Sequence, residues 1–325
     1  MAADSQPVLI GLDWGTSSLR GYLFSAAGGV LDAVAKPWGI QQLPAGGFAA
    51  AFAGVAAEWR ARGPALPAVA AGMVGSRQGW REVPYVECPA DAAAIARGIV
   101  PFASDAGLVR IVPGVIQRGP LPNVLRGEET QVIGALAREP GLAAGSLFVL
   151  PGTHSKWVRV RGGRITGFDT HMTGELFAVL REHSLLGKPA REAAGEDAGV
   201  APRAAAFERG LAVARESGAE AVSGRLFTTR SLYLTGDLQP SVTLDYLSGL
   251  LVGEEIRSVL AARCDEPLPP LVLIGDEALC GRYRDALAAF GITDARVFGD
   301  SAAAGLWRVA RIAGIVSAAA SEESG

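Results

Sequence analysis

The stretch VLIGLDWGTSSLRGYLF, residues 8–24, decides how the chain is read. An apolar run ends at Asp13, Gly15-Thr16-Ser17-Ser18 follows at once, and a second apolar run begins at Leu19. Residues 8–13 and 19–25 carry strand patterning, AAGG (26–29) is a turn, and VLDAVAK (30–36) continues as a third strand. An antiparallel meander is predicted, with a carboxylate and three hydroxyls at its first bend. Such a turn offers successive backbone N–H groups and short hydroxyls, and glycine lets the backbone approach a ligand closely. These concavities bind anions, phosphate above all, although serine and threonine are also ordinary turn formers.

The pattern returns in the second half. SLFVLPGTHSKWVRVRGGRITGFDT (146–170) has strand, polar Gly-Thr turn, strand, Gly-Gly turn and strand, so that Gly152-Thr153-His154-Ser155 matches Gly15–Ser18 and Gly162-Gly163 matches Gly28-Gly29. The repeat predicts a duplicated α/β architecture with one domain over 1–140 and a second over 141–325. Two such turns facing each other would grip a triphosphate between two domains. Asp13, at its strand end, would hold the Mg²⁺ that a nucleotide brings, through water; the alternative is a turn cap. The second motif has Leu150-Pro151 where the first has Asp13-Trp14, so metal binding is assigned to the first alone.

Helices are predicted over 48–63, where Gly63-Pro64 closes the pattern, at the end of 123–141, and over 173–186, 204–218 and 243–263. PAVAAGMVG (67–75) reads as a buried strand. PLVLIGDEALCGRYRDALAAFG (270–291) reads as strand, Gly-Asp loop and helix, 295–314 as a short strand and a final helix, and SAAASEESG (317–325) as a frayed tail.

Composition bounds the function. With 325 residues, 49% hydrophobic and 19% charged, the chain suits two separate cores and is too apolar for disorder. A net charge of -3 argues against a nucleic-acid footprint. Cys88, Cys264 and Cys280 form no CxxC pair, which argues against zinc ribbons and suits a reducing compartment. MAADSQP has no signal-peptide pattern, and no apolar run reaches the roughly 20 residues of a membrane helix, so a cytoplasmic location is expected.

DWGTSSLR and LPGTHSKWV resemble the two phosphate motifs of the actin-like ATPase and sugar-kinase superfamily. Together with GSRQGWREVPYVECPA (75–90), RGEETQVIGAL (126–136), HMTGELFAVLREHSLL (171–186) and LIGDEALCGRYRDAL (273–287), they resemble the 2-dehydro-3-deoxygalactonokinase family over residues 8–312. The resemblance implies two ribonuclease-H-like domains flanking an interdomain cleft, ATP and Mg²⁺. It also implies phosphorylation of the 6-hydroxyl of 2-dehydro-3-deoxy-D-galactonate, in galactose and galactonate breakdown.

In that superfamily a carboxylate at the start of an interdomain helix acts as the base. Here GEET opens the helix, and Glu129, before Thr130, is the first candidate, with Glu128 second; both alternatively favour the helix dipole alone. Thr16, Ser17 and Ser18 would donate to phosphate from one side, and Gly152, Thr153, His154 and Ser155 from the other. Lys156 faces phosphate or solvent. A sugar acid's carboxylate calls for an arginine fork, with Arg77 first and Arg126 second; Gln78 and Trp80 would supply hydrogen bonding and an apolar wall, and Arg20 a further cation. Gly275 would let adenine approach the backbone, with Asp276 or Glu277 accepting from ribose, or Asp276 merely capping its helix.

A Ser155 nucleophile beside His154 is disfavoured, because adjacency makes no triad and the Gly-x-Ser-x-Gly elbow is missing. His154, His171 and His183 match no metal spacing. The expected partners are a small sugar acid and ATP, with neither nucleic acid nor membrane, and a homodimer as an option. The competing functions are another sugar-acid or polyol kinase, a nucleotide-dependent sugar-acid sensor without transfer, and an actin-like assembly protein.

Overall fold

The computed structural model describes residues 6–60, 66–218, 222–263 and 267–316. Helix closure at Gly63-Pro64, Cys264 and the frayed 317–325 tail lie outside the described residues. In chain order the elements begin with strands β1 (Pro7–Trp14), β2 (Leu19–Ser25) and β3 (Val30–Lys36), helix α1 (Gly47–Arg60), β4 (Ala68–Gly72), β5 (Val86–Glu87), α2 (Ala92–Arg97), β6 (Val100–Ser104), β7 (Gly107–Ile111), β8 (Val115–Gln117), β9 (Asn123–Leu125) and α3 (Glu128–Arg138). They continue with β10 (Gly145–Leu150), β11 (Ser155–Arg161), β12 (Arg164–His171), α4 (Thr173–His183), α5 (Lys188–Glu192), α6 (Val200–Glu216), α7 (Val222–Leu226), α8 (Thr228–Leu234), α9 (Thr243–Ala261), β13 (Leu271–Leu273), α10 (Glu277–Ala289), β14 (Arg296–Val297) and α11 (Ala302–Ile312).

Two compact units divide the chain, and they do not follow a single break near residue 140. The first comprises Met1–Ser146, Val158–Phe168 and Asp300–Gly325; the second comprises Leu147–Trp157 and Asp169–Gly299. Tertiary contacts explain the difference. A Cβ on Gly134 of α3 would lie 1.9 Å from the Ser301 carbonyl oxygen, and one on Gly305 of α11 would lie 1.8 Å from that of Thr130. These glycines let α3 and α11 cross at backbone contact, so the last helix joins the first unit. Ala90 and Ile165 exchange backbone hydrogen bonds of 3.0 and 2.8 Å, and the Phe168 N–H donates to Gln117 Oε1 at 2.8 Å, which draws in 158–168.

The first unit is built on a six-stranded sheet of order β3-β2-β1-β4-β7-β6. β1 pairs antiparallel with β2 and parallel with β4, and β4 pairs parallel with β7. All five residues of β4 are buried, as expected of a strand covered on both faces, while edge strand β3 is largely exposed. α1 covers the sheet with Ala51, Phe52, Val55, Ala56 and Trp59; a Cβ on Gly21 of β2 would meet Val55 Cγ1 at 2.5 Å, so glycine there admits the helix. The small sheet β5-β8-β9, with no period-2 run long enough to reveal it, leads into α3.

The second unit surrounds a sheet of order β12-β11-β10-β13-β14, with β10, β13 and β14 parallel. Here α6 and α9 touch through glycine: a Cβ on Gly210 would sit 2.2 Å from the Tyr246 carbonyl oxygen, and one on Gly249 2.1 Å from that of Phe207. Among the described residues no helix is long and apolar enough to cross a membrane.

Candidate active site

In the first unit the Gly15–Ser18 turn joins β1 to β2. The Gly15 N–H donates to the Ser18 carbonyl at 2.9 Å, while the carbonyls of Gly15 and Thr16 accept from Ile40 and Gln41 at 3.1 and 3.2 Å. A Cβ on Gly39 would fall 2.2 Å from the Thr16 oxygen and 2.3 Å from the Ser17 nitrogen, so glycine lets the bracing loop close. Thr16 and Ser17 are exposed.

Asp13 sits in an acidic cluster whose second member, Asp300, lies 287 positions away at the start of α11 and has no sequence signal linking the two. Arg20 Nη1 lies 3.7 Å from Asp13 Oδ2 and 3.0 Å from Asp300 Oδ2. The Tyr22 hydroxyl also donates to Asp300 Oδ2 at 3.0 Å. Arg20 is thus engaged by two carboxylates. Burial pushes the Asp13 carboxyl up to about 6, with Asp300 and Glu128 adding to the rise and Arg20 opposing it. Among the described residues no three His, Cys, Asp or Glu side chains are arranged to hold a metal. A single carboxylate in a field of acids still fits a hydrated Mg²⁺ carried in by phosphates.

At the start of α3 the structure separates the two glutamates. Glu129 is 0% exposed, and its oxygens accept from the Gly127 N–H at 2.7 Å and the Thr130 hydroxyl at 3.2 Å. Burial, then the neighbouring Glu128, pushes its carboxyl up to about 7. Glu128 is half-buried and accepts from the Arg126 N–H at 2.9 Å. Packing of α3 thus encloses Glu129, while Glu128 keeps a partly accessible carboxylate.

The cation candidates differ in their surroundings. Arg77 and Gln78 are exposed, and Trp80 belongs to the core, stacked on Phe48 at 6.0 Å and edge-on to Phe102 at 5.3 Å, rather than forming an open wall. Arg126 is only 8% exposed. Its Nη2 donates to the Val83 carbonyl at 2.9 Å and its guanidinium lies 4.1 Å over the Tyr85 ring. Among the described residues Arg126 Nη1 and Ser76 Oγ are buried with no hydrogen-bond partner, an arrangement that suits an incoming anionic oxygen.

In the second unit the Gly152–Ser155 turn rests on the N-terminus of α4. A Cβ on Gly174 would meet the Gly152 oxygen at 2.4 Å and Thr153 Cα at 2.8 Å, and the Glu175 N–H donates to the Thr153 carbonyl at 2.9 Å. Thr153 and His154 are exposed, with His154 Nε2 paired to Glu175 Oε2. Ser155 departs from expectation: it is 0% exposed and its hydroxyl donates inward to Glu255 Oε1 at 2.6 Å. Lys156 is also buried, with Nζ donating to Thr170 Oγ1 at 2.9 Å, and does not face solvent.

Beside this turn lies a cavity of about 510 Å³, reached by Gly152, Thr153, Thr173 and Gly174. Phe177, Leu244, Leu251, Val252 and Leu279 give it apolar walls, and Asp245, Ser248 and Arg282 polar ones. Arg282 Nη2 pairs with Asp245 Oδ1 at 3.2 Å, and its guanidinium stacks 4.0 Å over Phe207. The residues expected at adenosine do not line this cavity. Gly275 has φ +144° and does not line the cavity, Asp276 caps α10 by accepting from the Leu279 N–H at 3.0 Å, and Glu277 is exposed. α10 reaches the cavity with Leu279, Arg282 and Tyr283, and the remaining walls come from the Gly152-Thr153 turn, α4, α9 and Arg203 of α6.

Similarity to known proteins runs along most of the chain. The family model for 2-keto-3-deoxy-galactonokinase matches residues 13–309. A protein of Rhizobium meliloti (strain 1021) named as a probable 2-dehydro-3-deoxygalactonokinase is 39% identical, covering 92% of this chain and 95% of its own. The 2-dehydro-3-deoxygalactonokinase of Escherichia coli (strain K12) is 35% identical over 90% and 94%. A solved structure from Sinorhizobium meliloti bearing the same enzyme name superposes with a TM-score of 0.83 at 36% identity, covering 93% of this chain and 98% of that one.

Proposed function

The chain belongs to the 2-keto-3-deoxy-galactonokinase family, and on that premise we propose that it transfers the γ-phosphoryl group of ATP to the 6-hydroxyl of 2-dehydro-3-deoxy-D-galactonate. At residue level the reading is supported by a Gly-Thr turn in each unit, with a half-buried glutamate at a helix start in the first and a cavity of about 510 Å³ beside the turn of the second. The order of meander strands followed by parallel strands supports a ribonuclease-H-like fold for each unit. The first unit takes the sugar acid and the second the adenosine end of ATP, in a cytoplasmic step of galactose and galactonate breakdown.

Phosphoryl transfer rests on positioning and charge neutralisation. The exposed N–H groups and hydroxyls of Thr16 and Ser17, and those of Thr153 with the His154 imidazole, donate to phosphate oxygens. Asp13 would hold Mg²⁺, through water; bound there, the ion would neutralise charge on the phosphates. Glu128 accepts the proton of the attacking hydroxyl. Arg126, with its unpartnered Nη1, and Ser76 receive the sugar acid's carboxylate. The cavity along α10 takes the nucleoside: its apolar walls sandwich the base, and Asp245 or Ser248 accept from the ribose.

A coupled ADP-release assay with Mg-ATP, offering the galacto and gluco forms of 2-dehydro-3-deoxyhexonate side by side, tests the reading. Turnover of the galacto form should fall about 10²- to 10⁴-fold in Glu128→Gln and far less in Glu129→Gln. Absence of ADP release with either acid would sink the substrate assignment. A reversed pair of glutamate effects would return the base to Glu129.

A further inference from the structure

Besides Glu129, the mechanism leaves a second buried carboxylate unused. Glu255 of α9 is 2% exposed and, among the described residues, accepts four hydrogen bonds, none from a cation. Oε1 takes the Ser155 hydroxyl at 2.6 Å and the Trp157 indole N–H at 2.7 Å. Oε2 takes the Tyr283 hydroxyl at 2.7 Å and the Thr173 hydroxyl. A charge buried without a counter-ion is costly unless its hydrogen bonds are complete, and apolar residues of similar volume often pack as well. A carboxylate with four donors fixes four groups in one geometry, which an apolar cluster does not.

Those four groups come from three separate elements of one site. Ser155 is the last residue of the second Gly-Thr turn. Thr173 opens α4, whose Gly174 supports that turn. Tyr283 belongs to α10, and with Thr173 it lines the nucleoside-sized cavity. α9 itself supplies Leu244, Asp245, Ser248, Leu251 and Val252 to the same cavity.

We infer that Glu255 is the positioning residue of the ATP site: it locks the second phosphate turn to the helices that form the nucleoside cavity, and touches neither substrate. The inference rests on the kinase reading above. It gives Ser155 a role through Glu255 and not through phosphate.

Steady-state kinetics with ATP and 2-dehydro-3-deoxygalactonate test it. Glu255→Leu leaves four buried donors without an acceptor and should raise the KM for ATP roughly tenfold or more, with the sugar-acid KM within about twofold. Glu255→Gln should stay within about threefold of wild type, because its amide oxygen can serve Ser155 and Trp157 while the amide donates to the Thr173 and Tyr283 hydroxyls. Ser155→Ala should raise the ATP KM in the wild-type background and add nothing in Glu255→Leu. A full Ser155→Ala effect in both backgrounds would place its hydroxyl on phosphate and overturn the inference, as would equal changes in both KM values. If Glu255→Leu does not fold, Trp157→Phe removes one donor at a residue outside the cavity; an unchanged ATP KM there also overturns it. A wild type that turns over the sugar acid while these variants show no selective loss leaves the kinase reading standing and removes only this role.

Discussion

At Gly15–Ser18 the chain braces its turn with a loop, whose Ile40 and Gln41 N–H groups donate to the turn's carbonyls and whose Gly39 leaves room for the approach. At Gly152–Ser155 the brace is a helix start, reached through Gly174, and a buried carboxylate that pulls Ser155 inward. The first turn is preceded by Asp13, inside a cluster with Asp300 and Arg20; the second is preceded by Pro151 and opens beside an apolar cavity. Similar hairpins thus have different surroundings, an acidic cluster before the first and a largely apolar cavity beside the second. Local sequence makes the turn, and what stands behind it gives the turn its task.

The sharpest way to break that contrast is at Asp13. Asp13→Asn should lower turnover about a hundredfold or more, with partial recovery at high Mg²⁺, because the first turn loses its cation-attracting charge. An unchanged dependence on Mg²⁺ in that variant would show that the metal is held elsewhere.

A second test compares the buried carboxylates near each turn. Glu255 has four donors, whereas Glu129 has one N–H and one hydroxyl and its carboxyl is pushed from 4.5 to about 7. Below pH 4.5 Glu129 is protonated in folded and unfolded chains alike. Between 4.5 and 7 the folded chain keeps a proton that the unfolded chain releases, so its stabilising share falls as pH rises and is gone above 7. Glu129→Gln should remove that decline, worth about 3 kcal/mol at most. Thermal unfolding of both proteins from pH 4 to 8 decides it, and parallel curves would mean that Glu129 is not the titrating group.

The mildest test swaps the braces. Gly174→Ala should raise the KM for ATP about tenfold by displacing the second turn. Gly39→Ala should displace the first turn to a similar degree while sparing the nucleoside cavity; each should cost about 1–3 kcal/mol of stability. Binding of adenosine alone, measured by calorimetry, separates them: it should weaken in Gly174→Ala and hold in Gly39→Ala, and equal losses would erase the distinction between the turns.

Much of this architecture is legible in residue order. The predicted strands at 8–13, 19–25 and 30–36 correspond to β1–β3, and the repeat at 146–170 to β10–β12. The helix over 173–186 ends at His183, and the one expected from 204 begins at Val200. The sheet β5-β8-β9 and helices α2, α5, α7 and α8 are too short for a period to declare itself.

By itself the sequence determined the two hairpins with their Gly-Thr turns, the main helices and the family, because alternation, glycine placement and turn chemistry act over a few residues. Tertiary structure alone decided which glutamate of the GEET segment is enclosed, where Ser155 points, that Arg126 is buried against Tyr85, and that Asp300, near the C-terminus, shares Arg20 with Asp13. Each of those outcomes depends on partners tens to hundreds of positions apart, brought together by glycine-mediated helix crossings and by burial, and no local pattern carries the cost of desolvating a side chain.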